Sequence, residues 1–176
     1  VNKLGIEFDP GDLDRLGLYL AMLLHVNRHM NLTAVTDPVE LWMRHVLDSL
    51  TLVPFVISAE ARTVIDVGSG GGLPGLALAV VLPSVRFTLL EATGKKARFL
   101  EEATRLLESN NTVIINDRAE SIGVDRQHHR EKYDMVTARA VGRLPVLLEL
   151  TVPLVAVGGH VLAIKGKRAG EQIDSA

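Results

Sequence analysis

The sequence predicts an α/β fold in which helices cover both faces of a mostly parallel sheet. From residue 63 onward, short β-branched runs alternate with helical patterns, the order that right-handed β-α-β crossovers produce. Hydrophobic residues make up 47% of the chain but aromatic residues only 4%, so the core is aliphatic, as in parallel strands buried on both faces. A chain of 176 residues has room for one such domain and a small attachment.

The attachment is a helical segment over residues 1–58, and the α/β domain is expected over residues 59–176. Asp9 and Pro10 offer a cap and a proline suited to the first turn of a helix. Leucines then recur at helical spacing until the segment around Asn31 interrupts them. The pattern therefore predicts at least one long helix before the sheet begins.

A second helix is predicted after Asp37, because Asp37 can cap it and Glu40 can reach back to the cap. Arg44 and Asp48 are four residues apart, so we expect them to share a helix face and to form an ion pair. His45 lies between them. From spacing alone a packed residue is the favoured interpretation, with a base or a phosphate contact as alternatives.

Five strands and three helices are predicted in the α/β domain. The strands are Thr63–Val67, Arg86–Leu90, Thr112–Asn116, Asp134–Ala138 and His160–Lys165. The helices are Pro74–Leu82, Lys95–Ser109 and Leu144–Val155. Pro145 and Pro153 indicate that the last of these could be two short pieces.

A cluster of glycines, VGSGGGLPG, follows the first predicted strand. Glycine lets the backbone turn sharply and lets a ligand lie against it, and the next helix points its free N–H groups at that ligand. Gly68, Gly70 and Gly72 fit the GxGxG loop of class I methyltransferases. Gly70, Gly72 and Gly75 fit the dinucleotide pattern GxGxxG equally well. The loop therefore predicts a nucleoside-containing cofactor and leaves two cofactors open.

Carboxylates around the loop favour S-adenosylmethionine over NAD. Asp66, directly before the loop, can orient it and attract the positively charged methionine end, whereas it would repel a pyrophosphate. Glu91 ends the second strand, the usual place for an acid that holds ribose hydroxyls, although it could instead cap the helix near Lys95. Asp117 and Glu120, after the third strand, suit the adenine amine or cap a helix.

Basic residues recur where the predicted strands end. Lys95, Arg139, Arg143 and Lys165 lie at or just past strand ends, which gather at the ligand-binding edge of such a sheet. A chain of net charge −2 can bind phosphates locally through such a group. Arg139 follows an apolar strand, so we expect it to be partly buried and paired.

Composition excludes several classes of site. The chain contains no cysteine, which rules out disulfides, thiolate zinc sites and a cysteine nucleophile. His128 and His129 have no third ligand at a useful spacing, so no metal is expected. No apolar stretch approaches the ~20 residues of a membrane span, and no secretory leader is visible. A cytoplasmic protein without a membrane partner is therefore expected.

Several segments, in order, resemble the bacterial small-subunit ribosomal RNA guanine-N7 methyltransferase G family, also called glucose-inhibited division protein B. They are NLTAVTDPVELWMRHVLDSL, VIDVGSGGGLPGLALA, FTLLEATGKKARFL, TARAV and LAIKG, and the resemblance extends over residues 27–166. It implies a class I methyltransferase (Rossmann-like) fold. It also implies methyl transfer from S-adenosylmethionine to N7 of a guanine in the decoding-region loop of 16S rRNA. The expected partner is 16S rRNA or the 30S subunit, and the protein is expected to be a monomer.

The resemblance and the residue pattern together indicate site residues, and the proposed direct transfer adds Lys165 and His45. Together with Asp66, the cofactor-binding residues are expected to be Gly68, Gly70, Gly72, Leu73, Glu91, Ala119, Glu120 and Arg139. The residues expected to take part in catalysis are Arg139, Lys165 and His45. Arg139 and Lys165 would hold RNA phosphates or the guanine O6, and His45 would help to shape the pocket.

One departure from the family concerns the C-terminal end. Family members continue past LAIKG into a further helix and a closing antiparallel hairpin, so we expect the last strands of the sheet to be missing from this chain. Two other functions stay open at this point. One is an NAD-type dinucleotide-binding oxidoreductase, and the other is a non-catalytic RNA-binding scaffold.

Overall fold

A computed structural model describes residues 6–165, and its centre is a five-stranded parallel sheet. The strands are β1 (Thr63–Val67), β2 (Arg86–Leu90), β3 (Thr112–Ile115), β4 (Tyr133–Arg139) and β5 (Val155–Ile164). Their order in the sheet is β3-β2-β1-β4-β5. The chain therefore runs outward from β1 to one edge and then returns to the other side of β1. Ligands bind in such sheets at the carboxyl ends of the strands, where the direction reverses.

Helices precede the sheet and connect its strands. Before β1 lie α1 (Asp12–Met30), α2 (Pro38–Leu41), a π-helix (Trp42–Leu47), α3 (Asp48–Leu50) and α4 (Val53–Ser58). The crossovers contain α5 (Gly75–Val81), α6 (Gly94–Leu106), α7 (Ala119–Gly123) and α8 (Leu144–Thr151). The predicted helical segment and the alternation of strands and helices are both present.

The sheet is buried on both faces, which is why its strands read as continuous apolar runs. Neighbouring residues of β1 point to opposite sides, so that Val64 belongs to one core and Ile65 to the other. The first core is shared with α1, α5 and α6, and the second contains Ile122 of α7 and Leu147 of α8. The predicted arrangement with helices on both faces is confirmed.

The last strand begins earlier than predicted. β5 starts at Val155 rather than at His160, and α8 ends at Thr151. Pro153 lacks the N–H that a continuing helix requires. The pairing of β5 with β4 also shifts register between Tyr133 and Met135. The β-propensity of the residues from Val155 is interrupted by two glycines, which concealed the strand in the sequence.

The helical segment packs directly on the α/β part rather than standing apart. Leu16, Leu20 and Leu23 of α1 are buried in the same core as Leu76 of α5 and Leu100 of α6. The division into residues 1–58 and 59–176 stays a prediction. The packing shows that α1 shares one hydrophobic core with α5, the helix that follows the glycine loop.

Candidate active site

The glycine loop lies at the carboxyl end of β1 and is held by its neighbour β2. The N–H groups of Gly68 and Ser69 both donate to the carbonyl of Leu90, at 2.9 and 3.1 Å. Gly68, Gly70 and Gly72 have φ angles of 71°, 55° and 95°, in the left-handed region that glycine adopts without strain. These three positions therefore need glycine for the backbone conformation itself.

The Asp66 carboxylate connects the end of the loop to β4 through two hydrogen bonds. One carboxylate oxygen accepts from the Thr137 hydroxyl at 2.9 Å, and the other accepts from the N–H of Gly75 at 3.3 Å. The side chain is only 1% exposed. Asp66 therefore orients the loop, as one of its two predicted functions requires. Because the carboxylate is buried, the predicted attraction of the positively charged methionine end would act at a distance and not by direct contact.

Burial raises the pKa of Asp66 to about 6, although Thr137 and Gly75 donate hydrogen bonds that lower it. Between pH 4 and pH 6 the folded protein therefore keeps a proton that the unfolded chain has released. Raising the pH through this range should lower the free energy of unfolding by about 3 kcal/mol. Urea unfolding at several pH values should show this loss for the wild type and not for Asp66→Asn, which cannot ionise. Identical pH profiles for the two proteins would contradict the assignment.

Glu91 connects the end of β2 to the loop. Its Oε2 accepts from the N–H of Gly70 at 2.9 Å, and its Oε1 accepts from the N–H of Thr93 at 2.7 Å. Thr93 is the N-cap of α6, so the helix-capping alternative describes part of what the residue does. Each oxygen of a carboxylate can accept a second hydrogen bond. Glu91 therefore retains the capacity to accept two hydroxyl hydrogens.

The residues expected near adenine lie farther along the same edge. Ala119 begins α7 and is buried, whereas Glu120 beside it is exposed. Asn116 donates through Nδ2 to the carbonyl of Glu91 at 2.8 Å. Asp117 accepts from the N–H of Arg118 at 2.7 Å. Glu91 therefore follows β2, and Asn116 and Asp117 follow β3, at this edge of the sheet, while the adenine function itself stays a prediction.

Tyr19 of α1 holds the loop from the other side, and sequence reasoning missed it. Its hydroxyl donates to the carbonyl of Gly71, and the side chain is fully buried. Burial raises the pKa of Tyr19 far above its usual value, so the hydroxyl is a permanent donor. A tyrosine in a leucine-rich helix is typical of a core residue, and only the three-dimensional structure shows that its hydroxyl binds the loop.

Replacing Tyr19 by phenylalanine should lower the free energy of unfolding by about 1–2 kcal/mol, because the buried Gly71 carbonyl loses its partner. It should also weaken S-adenosylmethionine binding, because the loop loses an anchor. Tyr133→Phe is a matched control. Its hydroxyl contacts His129 Nδ1 at 2.8 Å, away from the loop, so stability should fall without a change in cofactor affinity. Urea unfolding and calorimetry measure both quantities, and equal cofactor affinity in the two variants would contradict the anchoring function.

A cavity of about 1090 Å³ opens beside the loop, between the N-terminal helices and the carboxyl ends of β4 and β5. His45, Arg139 and Lys165, the three residues predicted to take part in catalysis, all line it. Gly71 and Leu73 form its wall on the loop side. Arg139 and Leu73 are the predicted cofactor-binding residues that line the cavity. The others, from Asp66 to Glu120, do not line it.

His45 is held as a neutral side chain. Its Nδ1 lies 3.0 Å from the carbonyl of Arg44, which can only accept, so Nδ1 carries the proton. Its Nε2 accepts from the Thr33 hydroxyl at 2.7 Å. Burial above all, and the nearby charges of Arg139 and Arg44, hold the pKa of His45 below its usual value. Since Nε2 already has a partner, His45 shapes the cavity rather than offering a free base.

Asn27 positions Thr33 and was also missed. Its Oδ1 accepts from the N–H groups of Leu32 and Thr33 at 2.7 and 2.8 Å, and its Nδ2 donates to the carbonyl of Thr33 at 2.9 Å. The turn after α1 is therefore fixed by one amide side chain. An asparagine a few residues before a helix end is the only trace of this in the sequence.

The expected ion pair between Arg44 and Asp48 is wrong. Arg44 instead lies 3.3 Å from Glu40, and Asp48 lies 3.8 Å from Arg139 Nη1. The reason is the π-helix between them, whose wider turn does not align residues four apart in the way that an α-helix does. Arg139, with its side chain 20% exposed, is partly buried and paired as predicted.

Lys165 makes contacts that the sequence did not indicate. Its Nζ donates to the carbonyls of Val141 and Gly142 at 3.1 and 2.7 Å. These carbonyls belong to the loop after β4, so Lys165 fixes that loop against the end of β5. An ammonium group has three donors, and the third remains for a ligand. The predicted contact with RNA stays a prediction.

Metal and membrane sites can be considered for the part of the chain from residue 6 to residue 165. It contains no group of three or more His, Cys, Asp or Glu side chains that could hold a metal ion. His128 contacts Asp125 and His129 contacts Tyr133. None of the helices over the same residues combines the length and apolarity needed to cross a bilayer.

Comparison with known proteins shows the family. Residues 12–176 match the family described as rRNA small subunit methyltransferase G. The Ribosomal RNA small subunit methyltransferase G of Sorangium cellulosum is 50% identical over 98% of this chain and 72% of its own length. The protein of the same name from Bacillus subtilis is 39% identical, over 97% and 71%.

A solved structure shows the same fold at low identity. The O-methyltransferase from Bacillus cereus, in complex with SAH, superposes with a TM-score of 0.60 and 23% identity over 78% of this chain and 61% of that chain. The predicted class I methyltransferase fold is confirmed. On the sequence match over nearly its whole length, the chain belongs to the rRNA small subunit methyltransferase G family.

Proposed function

We propose that this chain transfers a methyl group from S-adenosylmethionine to N7 of a guanine in 16S rRNA, with the base bound in the cavity beside the glycine loop. One observation carries the proposal. Gly71 and Leu73 of the loop form one wall of a cavity whose other walls contain Arg139 and His45. A base in the cavity and a cofactor on the loop would therefore meet at a shared boundary.

Family membership supplies the reaction class. The chain is an S-adenosylmethionine-dependent methyltransferase that acts on small-subunit rRNA. This settles the ambiguity of the glycine pattern in favour of the methyltransferase loop. It leaves no support for the NAD-type oxidoreductase or for the non-catalytic scaffold. The residue functions below remain proposals.

The residues at the loop fit this cofactor. A ribose diol needs two acceptors side by side, and Glu91 offers a carboxylate that is already oriented by the N–H groups of Gly70 and Thr93. Within residues 6–165, and apart from the chain neighbours of Gly70, only the Gly68 carbonyl, at 3.8 Å, lies within 4 Å of the position of a Cβ at Gly70, so the described part of the chain leaves this backbone open to a ligand. We propose that Glu91 holds the ribose and that the loop around Gly68 and Gly70 supports the methionine end.

When bound, S-adenosylmethionine supplies an electrophilic methyl group on a positively charged sulfur. Guanine N7 has a lone pair at neutral pH, so no base has to remove a proton. In such a transfer the lone pair would form the new N–C bond as the S–C bond breaks, S-adenosylhomocysteine would leave as a neutral thioether, and the positive charge would pass to the guanine ring. A neutral His45 whose Nε2 is occupied agrees with a reaction that needs no base.

The protein therefore contributes mainly position. Holding two reactants in line can lower a barrier by roughly 7–11 kcal/mol. Arg139 lies at the end of β4, where its guanidinium can donate to the guanine O6, the acceptor next to N7. Lys165 keeps the loop after β4 in place. Arg44, exposed at the cavity rim, is suited to a phosphate.

The finer partner assignments belong to the same proposal. We expect a monomer that acts in the cytoplasm, on 16S rRNA or on the assembled 30S subunit. Transfer of a labelled methyl group to naked 16S rRNA and to 30S subunits, both lacking the modification, separates the two substrates. Mapping the product by cleavage at N7-methylguanine identifies the nucleotide. Label on another atom, or no transfer to either substrate, would overturn the proposal.

A further inference from the structure

We propose that Asp48 and Arg139 together recognise the Watson–Crick edge of the target guanine. They would present a donor followed by two acceptors, the order that cytosine presents in a base pair. This inference rests on the proposed function, because it concerns the base bound in the same cavity. It adds a specificity-determining residue, Asp48, from a part of the chain that carries no cofactor-binding residue.

The two side chains have unused hydrogen-bonding capacity. Arg139 Nη1 and Asp48 Oδ2 are 3.8 Å apart, which is too long for a hydrogen bond. Among residues 6–165 no hydrogen bond reaches the carboxylate of Asp48, whose side chain is 47% exposed. Both residues line the cavity. The two side chains are therefore close enough to contact one ligand, and they do not use their hydrogen-bonding groups on each other.

Asp48 is the acidic residue among the described residues of the cavity wall, where Arg44, Arg139 and Lys165 supply positive charge. A carboxylate in a cavity that receives a polyanion opposes binding unless it makes a favourable contact there. A base edge that carries hydrogen-bond donors supplies such a contact. The position of Asp48 is thus better suited to reading a base than to attracting RNA.

Guanine matches the pair atom by atom. Its Watson–Crick edge carries the O6 acceptor, the N1–H donor and the N2 amino donor. A guanidinium N–H of Arg139 would donate to O6, and the two oxygens of Asp48 would accept from N1–H and N2–H. Adenine has a donor in place of O6 and an acceptor in place of N1–H, so it would face like groups. N7 then lies on the edge turned away from Asp48.

The same contact would strengthen during transfer. Methylation at N7 places a positive charge on the ring, which makes N1–H a better hydrogen-bond donor. The Asp48 carboxylate would therefore bind the transition state more tightly than the ground state, and such differential binding raises kcat. Loss of Asp48 should consequently reduce kcat more than it raises KM.

Inosine in place of the target guanosine provides the test, because it keeps O6, N1–H and N7 and lacks the N2 amino group. The nucleotide is first mapped on the wild-type product, and rRNA carrying inosine at that position is then made by ligation. The wild type should methylate the inosine substrate about tenfold less efficiently, since one charge-assisted hydrogen bond is lost. For Asp48→Ala this ratio of guanosine to inosine should fall to near one.

Further variants separate recognition from folding. Asp48→Asn keeps one acceptor, so its ratio should fall between those of the wild type and Asp48→Ala. Asp14→Ala removes an exposed acid of α1 that does not line the cavity and should change neither rate nor ratio. Calorimetry with S-adenosylmethionine should give equal affinity for all of these proteins, which shows that the loop is intact.

The outcomes distinguish this inference from the proposed function. If the wild type transfers no methyl group to guanosine, the proposed function itself is overturned, and this inference with it. If the wild type methylates guanosine and inosine equally well, only the contact to the amino group and hence this inference fails. If Asp48→Ala is active and retains the tenfold ratio, another group reads the edge and the inference is equally overturned.

Discussion

Replacing Glu91 by alanine is expected to weaken the binding of S-adenosylmethionine by about a hundredfold. The variant loses two acceptors for the ribose hydroxyls, and each charge-assisted hydrogen bond contributes at least ~1.5 kcal/mol. It also frees the N–H groups of Gly70 and Thr93, which the carboxylate holds in the structure. The loop and the start of α6 then lose their common anchor, so the effect combines lost contacts with lost order.

Glu91→Gln should weaken binding by only about tenfold, because the amide keeps one acceptor oxygen in nearly the same shape. Calorimetry with S-adenosylmethionine measures both affinities. Glu102→Ala, an exposed acid on α6, is the matched control and should bind normally. Equal affinities for the alanine and glutamine variants would contradict this expectation, because they would show that the acceptor oxygen kept by glutamine contributes nothing to binding.

Arg139→Ala is expected to reduce methyl transfer to the rRNA by about a hundredfold, the size of effect found when a positioned donor at a reacting centre is removed. Arg139 lines the cavity and lies 3.8 Å from Asp48. Its charge adds to the burial that lowers the pKa of His45, and it opposes the burial that raises the pKa of Asp66. Its loss therefore leaves Asp48 unbalanced as well as removing a contact. Cofactor affinity should change by less than tenfold, because the Glu91 edge is untouched.

Arg139→Lys keeps the charge without the planar fork and should recover part of the activity. Arg105→Ala removes an exposed arginine from α6 and should leave transfer unchanged. Single-turnover assays with saturating cofactor measure the chemical step directly. Full methylation together with unaltered cofactor affinity in Arg139→Ala would rule out a function for this residue at the site.

The parallel sheet could be predicted because its strands are continuous apolar runs that end at recognisable residues. Thr63–Val67 ends at a glycine cluster and Arg86–Leu90 at Glu91, and both strands have the predicted bounds. The start of β5 could not be predicted in this way, since Gly158 and Gly159 interrupt its β-propensity and its pairing is determined by β4. Local sequence signals therefore located β1 and β2, the two strands that lead into the candidate site.

The geometry of the candidate site was predictable where local sequence determines the backbone and not where distant residues meet, and the functions of its residues stay predictions. The loop glycines and Glu91 could be recognised because turns and strand ends have residue preferences. Tyr19 is 52 residues from the carbonyl it contacts, and Thr137 is 71 residues from Asp66. Such contacts depend on the packing of α1 and β4 against the loop, which no short pattern encodes.

The π-helix determines how the residues that follow it are rotated about the helix axis. The buried hydrophobic residues from Leu41 to Leu50 are Leu41, Val46 and Leu50, with spacings of five and then four, so no single helical period describes them. Each residue of an α-helix turns the chain by about 100°. Deleting one residue from Trp42–Leu47 would therefore rotate Asp48 away from Arg139 while leaving the composition of the segment almost unchanged. The wider turn of the π-helix therefore determines on which side of the helix Asp48 lies, and the chemistry of the cavity wall depends on that position.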